Sequence, residues 1–117
     1  MDLRQILIEE RDKLLAEMRM YGFFLDRAKR FDATTWDINN GHCEDFADAV
    51  ESRCPSVSVI WLEDSEPSLN HCVIRFQGRY YDAECIDGVE HPSQLPIAMN
   101  MSKTRPQVLS ERRAYEP

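Results

Sequence analysis

The hydrophobic pattern of this chain changes its period near Ser56, and that change constrains the fold more than any other feature. Before Ser56, one group of apolar residues recurs at intervals of three, four or seven, as on one face of a helix: Leu3, Ile6, Leu7, Leu14, Met18, Tyr21 and Leu25. After Ser56, β-branched and aromatic residues gather in short runs that are typical of strands. Helices followed by a run of strands predict an α+β fold, with N-terminal helices packed on a small antiparallel sheet.

The helical part of the chain divides into two segments. The first is predicted over residues 2–30, where Glu, Arg, Lys and Ala fill the gaps between the apolar positions. A break follows, and residues 36–41 are predicted to form a loop. The second helix begins at Gly41 or His42 and ends near Arg53, because a proline follows two residues later.

A cysteine falls at the start of the second helix. Asn40 is the predicted N-cap, and Cys43 shares the apolar face with Phe46 and Val50. Backbone N–H groups at a helix start stabilise a thiolate, so Cys43 is a candidate nucleophile; a buried thiol of the core is the alternative. Three nearby acids oppose ionisation, because negative charge raises the pKa of a thiol: Glu44, Asp45 and Asp48.

The second half of the chain predicts three strands, a polar loop, a tight turn and an irregular end. The strands cover residues 57–62, 71–76 and 79–84, the loop covers 63–70, and the turn is Gln77-Gly78. After Cys85 the chain is predicted to be irregular, and from Ser102 it is a polar tail anchored only by Val108 and Leu109.

The predicted turn at Gln77-Gly78 fixes which side chains share a face of the hairpin. With a two-residue turn, His71 lies directly opposite Glu84, and Asp82 is its diagonal neighbour, about 7 Å away at Cα. Paired residues share a face, so all three side chains point to the same side of the sheet. We expect the apolar face of the second helix, with Cys43, to pack on that side.

These residues resemble the papain-like and transglutaminase-like cysteine proteinase superfamily over about residues 36–90. The motifs are Gly-x-Cys-x-x-Phe-Ala at a helix start, a strand that opens with His71, and the run GRYYDAE. In that superfamily a helix carries the cysteine and packs on an antiparallel sheet that carries the histidine and the aspartate. The resemblance implies the same chain order here: Cys43, His71 and Asp82.

The resemblance also implies an activity, which is acyl transfer at a peptide or another amide without a cofactor. Cys43 is the implied nucleophile, His71 moves the proton, and Asp82 orients the imidazole, with Glu84 as the alternative orienting group. Papain-like members use a glutamine upstream of the cysteine to stabilise the oxyanion, and this chain has none nearby. The candidates for that role are Trp36, Asn39 and Asn40.

Charge and composition exclude several other classes of function. The net charge of -7 argues against a nucleic-acid partner, and no run approaches the roughly 18 apolar residues of a membrane span. The N-terminus carries charge throughout and does not resemble a signal peptide, so we expect a cytoplasmic protein with reduced thiols. Its cysteines and histidines lack zinc-finger spacing, so we expect no metal site.

Two non-enzymatic alternatives stay open. One is an inactive member of the same fold that docks a basic partner through its acidic surface, for example a phage or mobile-element inhibitor of a host factor. The other is a structural protein with four inert thiols. The 117 residues suit one domain over residues 1–117, and the sequence leaves the oligomeric state open.

Overall fold

The computed structural model describes residues 2–25, 34–39, 41–65, 68–101 and 110–113. These segments contain four α-helices, five strands and one 3₁₀ turn. The order is α1 (Leu3–Leu25), α2 (Thr35–Asn39), α3 (Cys43–Arg53), β1 (Ser58–Ser65), β2 (Ser68–Phe76), β3 (Arg79–Asp82), β4 (Cys85–Val89), the 3₁₀ turn (Pro92–Gln94), α4 (Pro96–Met101) and β5 (Ser110–Arg113). Among the described helices, none has the length and apolar content needed to cross a membrane.

The five strands form one antiparallel sheet in the order β4-β3-β2-β1-β5. Helix α1 packs on α3, and α3 packs on β1 and β2. The predicted α+β class, with N-terminal helices on a small antiparallel sheet, is therefore confirmed.

The central strand β2 separates two hydrophobic clusters. Its residues Cys72 and Ile74 are buried with Phe46 of α3, in the cluster that also includes side chains from α1. Val73 points the other way and is buried with Leu95, in the cluster beneath α4. Side chains alternate along a strand, so consecutive residues of β2 serve the two clusters in turn.

The hairpin of β2 and β3 has the predicted two-residue turn. Gln77 and Gly78 both have positive φ, 51° and 77°, which fits a turn of type I′. Phe76 pairs with Arg79, as predicted, and the pairing continues to Ile74 opposite Tyr81. The register on which the sequence argument depended is therefore confirmed over this stretch.

The predicted polar loop over residues 63–70 is wrong for residues 63–65 and 68–70, and residues 66 and 67 lie outside the described residues. Strands β1 and β2 continue through it, from Glu63 paired with Asn70 to Ser65 paired with Ser68. An antiparallel ladder is made of backbone hydrogen bonds, so polar side chains do not prevent it where strands extend to the edge of the core.

The end of the chain is more regular than predicted. The third strand stops at Asp82, the chain turns at Ala83-Glu84, and β4 follows where irregular structure was expected. Residues 110–113 of the predicted polar tail form the edge strand β5 on β1. Val108 and Leu109 lie outside the described residues.

The helices also depart from prediction at their ends. Helix α1 is described to Leu25, and the rest of the predicted 2–30 segment lies outside the described residues. The predicted loop over residues 36–41 is wrong at residues 36–39, which belong to α2. The start of α2 is capped, because the backbone N–H and the hydroxyl of Thr34 both donate to Asp37. The second helix is confirmed as α3, but its N-cap is His42 rather than Asn40.

Candidate active site

Cys43 is the first residue of α3, and its side chain is half-buried. The short helix α2 ends only four residues earlier, and the backbone N–H of His42 donates to the carbonyl of Ile38 at 2.8 Å. This hydrogen bond ties the start of α3 to the end of α2. The position of Cys43 is therefore set by both helices.

His71 and Asp82 form a buried pair on the neighbouring strands. Their side chains are 0% and 1% exposed, and Nε2 of His71 lies 3.0 Å from Oδ2 of Asp82. The other carboxylate oxygen of Asp82 accepts from the backbone N–H of Glu84 at 2.9 Å. Both oxygens of Asp82 are thus engaged, which fixes the carboxylate and, through it, the imidazole ring.

The thiol of Cys43 reaches this pair past the open edge of β2. The pairing of β2 with β3 begins at Ile74. Cys72 lies two residues before that point, so its backbone N–H has no partner on β3. That N–H points to the same edge of the strand and donates to the Cys43 sulfur at 3.4 Å. The sulfur therefore takes the position of the backbone carbonyl that would accept this hydrogen bond if β3 were longer.

The expectation that α3 packs on the sheet face that carries His71 is wrong. Helix α3 covers the face of Cys72 and Ile74, whereas His71 alternates with Cys72 and projects to the face of Val73. Cysteine and histidine can still meet because the thiol lies at the strand edge, between the two faces.

The ionisation of Cys43 and His71 is coupled. Burial raises the pKa of the Cys43 thiol, but contacts with His71 and with the N–H groups of Cys72 and Glu44 outweigh it and lower that pKa. Burial lowers the pKa of His71, but Asp82 and Cys43 raise it to about 9. These opposite shifts favour a thiolate beside an imidazolium near neutral pH.

Nδ1 of His71 is buried and has no hydrogen-bond partner among the described residues, but Cys43 and His71 shift each other's pKa, which places the thiol near the imidazole. Nδ1 is therefore the ring nitrogen available to the sulfur, while Nε2 is held by Asp82.

The neighbouring thiol of Cys72 behaves in the opposite way. Burial strongly raises its pKa, and negative charge from Cys43 and from acids of α3, including Asp48, raises it further. The sequence predicted that Glu44, Asp45 and Asp48 would oppose ionisation of Cys43, but the pKa of Cys43 is lowered. Cys72 therefore supports the site with its backbone while its own thiol stays protonated.

Glu84 does not lie opposite His71, because the chain turns at Ala83-Glu84. Its carboxylate instead accepts from Nδ2 of Asn39 at 3.0 Å. Burial, followed by the charge of Asp82, raises the pKa of Glu84. The orienting contact to His71 is made by Asp82, and Glu84 joins that carboxylate to α2.

The three oxyanion candidates differ in their surroundings. Asn39 is 4% exposed and its amide nitrogen, which has two hydrogens, is bound to Glu84 by one of them. Trp36 is 58% exposed on α2. Asn40 lies outside the described residues. An oxyanion role for any of these side chains stays a prediction.

Sequence reasoning missed two contributors to the site, the backbone N–H of Cys72 and the contact of Asn39 with Glu84. The first follows from the point at which β3 ends, which no side-chain pattern indicates. The second requires α2, which the sequence predicted as loop.

The other two histidines have local partners. His42 is exposed and lies 3.3 Å from Asp45, and His91 accepts from the backbone N–H of Ser93 at the start of the 3₁₀ turn. Within the described part of the chain, no group of three His, Cys, Asp or Glu residues could hold a metal ion.

Comparison of the chain with protein-family models, with curated proteins and with solved structures finds no match.

Proposed function

We propose that this protein is a thiol-dependent acyl-transfer enzyme acting on a peptide or another amide, with a papain-like or transglutaminase-like core. The observation that carries the proposal is the line of three groups, Cys43 at a helix start, His71 beside it, and Asp82 bonded to the far ring nitrogen of His71 at 3.0 Å. Two of these three side chains are charged or polar and fully buried, which is costly unless they are paired.

In the first half of the reaction, the Cys43 thiolate attacks the carbonyl carbon of the amide. A C–S bond forms, and the carbonyl π electrons move to the oxygen. The tetrahedral intermediate collapses when the C–N bond breaks, while the imidazolium of His71 gives its Nδ1 proton to the leaving amine. The products are the free amine and a thioester on Cys43.

In the second half, water or an amine enters the site and His71 takes its proton as it attacks the thioester. The C–S bond then breaks, and the sulfur leaves as the thiolate, which restores the ion pair. Water gives a carboxylic acid, and an amine gives a new amide. Asp82 stays bonded to Nε2 throughout and stabilises the imidazolium without accepting the proton.

The proposal is tested by the selectivity of alkylation. A limiting amount of iodoacetamide near neutral pH is expected to label Cys43 before the other three cysteines, which serve as internal controls and are counted by mass spectrometry of peptides. Labelling of all four cysteines only after denaturation would contradict the proposal. Incubation with a panel of peptide amides then tests turnover, with Cys43→Ser as the inactive control.

One observation favours a second candidate, an acidic module that docks a basic partner. Helices α1 and α3 enclose a cleft of about 130 Å³ with Leu14 and Phe46 in its lining and three carboxylates, Glu10, Glu17 and Asp45, beside Lys13. Such a cleft complements a cationic segment of another protein. Binding of a Lys- and Arg-rich peptide that survives Cys43→Ser, without turnover of any amide by the wild type, favours this candidate.

A further inference from the structure

A chain of hydrogen bonds joins α2 to the buried histidine. Nδ2 of Asn39 donates to Oε1 of Glu84 at 3.0 Å, and the backbone N–H of Glu84 donates to Oδ1 of Asp82 at 2.9 Å. The other oxygen of Asp82 lies 3.0 Å from Nε2 of His71. The first bond of this chain joins two segments that are far apart in sequence, α2 before the cysteine and the turn after β3.

The contact with Glu84 determines the orientation of the Asn39 amide. Asn39 is 4% exposed, and its Oδ1 atom is buried without a hydrogen-bond partner. Rotation of the amide by half a turn would place Oδ1 against the Glu84 carboxylate and leave the nitrogen without this acceptor. Because Oδ1 of Asn39 has no hydrogen-bond partner, the orientation of this buried amide depends on the hydrogen bond from Nδ2 to Glu84.

Asn39 is also connected to Cys43 through a short stretch of backbone. It is the last residue of α2, and the residue before it accepts the backbone N–H of His42, which directly precedes Cys43. A shift of Asn39 therefore moves the start of α3. The Asn39–Glu84 contact joins α2, which leads into the start of α3 with its thiol, to the turn that directly follows Asp82.

We propose that Asn39 and Glu84 are positioning residues that hold the Cys43 segment in register with the His71–Asp82 pair. This inference rests on the proposed function and concerns the same site. In this role the two side chains act through their contact with each other and transfer no proton. The pair acts by keeping the thiol beside Nδ1 of His71.

The test compares two substitutions of Glu84 with a double variant that reverses the donor and the acceptor of the Asn39–Glu84 hydrogen bond. Glu84→Ala removes the contact and is expected to slow alkylation of Cys43 about tenfold, whereas Glu84→Gln keeps an acceptor oxygen for Asn39 and stays within about threefold. Asn39→Asp sets two carboxylates against each other and is expected to slow alkylation about tenfold. The double variant Asn39→Asp with Glu84→Gln restores a hydrogen bond in the opposite direction and is expected to restore the rate.

The measurement is the rate constant for alkylation of Cys43 by iodoacetamide as a function of pH, together with thermal unfolding followed by circular dichroism. In Glu84→Ala the midpoint of the pH profile is expected to move up, which a general loss of stability does not produce. Asn70→Asp repeats the change made in Asn39→Asp, but at an exposed residue next to His71, and it therefore controls for the effect of an added negative charge.

The possible failures are distinguishable. A wild type in which Cys43 is no more reactive than the other cysteines overturns the proposed function. A reactive wild type with Glu84→Ala at the same rate and midpoint overturns only the positioning role. Equal losses in Glu84→Ala and Glu84→Gln, or an exchange variant that stays slow, also overturn it.

Discussion

The described part of the chain contains two pairs of histidine and aspartate in very different surroundings. His71 and Asp82 are 3.0 Å apart and almost fully buried, with 0% and 1% of their side chains exposed. His42 and Asp45 are 3.3 Å apart on the first turn of α3, with 45% and 70% exposed. In sequence the second pair is far closer to Cys43, but it is His71 of the first pair that helps to lower the pKa of the thiol.

The difference shows that contacts made in the folded structure, more than proximity along the chain, determine which histidine affects the pKa of this thiol. In water the attraction between two unit charges is weak, and salt screens it further. Inside the protein the same charges interact strongly and neither can exchange its partner for solvent. The following predictions test this contrast, from the largest expected effect to the smallest.

Loss of one partner should cost far more stability in the buried pair. Asp82→Ala leaves His71 buried without its charge partner, and we expect a loss of about 3–5 kcal/mol in the free energy of unfolding. Asp45→Ala, the matched change at the exposed pair, should cost less than about 1 kcal/mol. Urea unfolding of both variants measures the difference, and equal losses would mean that burial does not distinguish the pairs.

The buried pair should also make the free energy of unfolding decrease as pH rises. The effect is measured in Cys43→Ser, because this variant lacks the thiol whose ionisation is coupled to that of His71. The pKa of His71 is raised from 6.5 to about 9 in the folded wild type, and Asp82 contributes to that rise. A raised pKa stabilises the fold fully below the unfolded value of 6.5, and this contribution is lost as pH rises toward the folded value.

We therefore expect the free energy of unfolding of Cys43→Ser to fall by about 2 kcal/mol as pH rises through that window, at no more than about 1.4 kcal/mol per pH unit. In the wild type the fall should be shallower, because the folded state loses a proton from Cys43 while it keeps one on His71. The same titration of Cys43→Ser with Asp82→Asn should be flatter than that of Cys43→Ser. A slope that is unchanged by Asp82→Asn would contradict this account.

Removal of each histidine should separate their effects on the thiol. His71→Ala removes the group that stabilises the thiolate, and we expect the rate of Cys43 alkylation near neutral pH to fall at least about tenfold. His42→Ala, next to the cysteine in sequence, should change that rate by less than about twofold. Mass spectrometry of the labelled peptides compares the two, and a larger effect from His42→Ala would reverse the assignment.

The smallest effect is expected from salt on the exposed pair. The stability difference between the wild type and Asp45→Asn should be below about 0.5 kcal/mol at low salt and should vanish at high salt. The difference between the wild type and Asp82→Asn should persist, because the buried charges lie outside the reach of mobile ions. Urea unfolding at two salt concentrations measures both differences.

Some parts of the fold were accessible from sequence because local chemistry determines them. The turn at Gln77-Gly78 has residues that accept positive φ between two strand-like runs, so its register could be derived by counting. Helix α3 was similarly clear from its apolar face and the proline that follows. In contrast, the extension of β1 and β2 through Glu63 and Asn70 depends on backbone pairing that polar side chains conceal.

The candidate site shows the same division. The hairpin register predicted that Asp82 and Glu84 share a face with His71, and the resemblance favoured Asp82 over Glu84. The structure places His71 and Asp82 in contact. The place of Cys43 could not be derived in the same way, since it depends on where β3 ends and how α2 meets the turn at Glu84. Those are long-range facts of packing, and a short helix such as α2 has too weak a local signal to reveal them.

The hydrogen bond from Cys72 to the Cys43 sulfur has a consequence for how the protein assembles. A strand edge normally finds its acceptor in another strand, but here one backbone position of β2 is completed by a side chain from a helix. Without α3 on the sheet, the backbone N–H of Cys72 lacks this acceptor. The contact that completes the ladder at this position also holds the sulfur near the histidine, so a complete ladder and a thiol placed near His71 occur together.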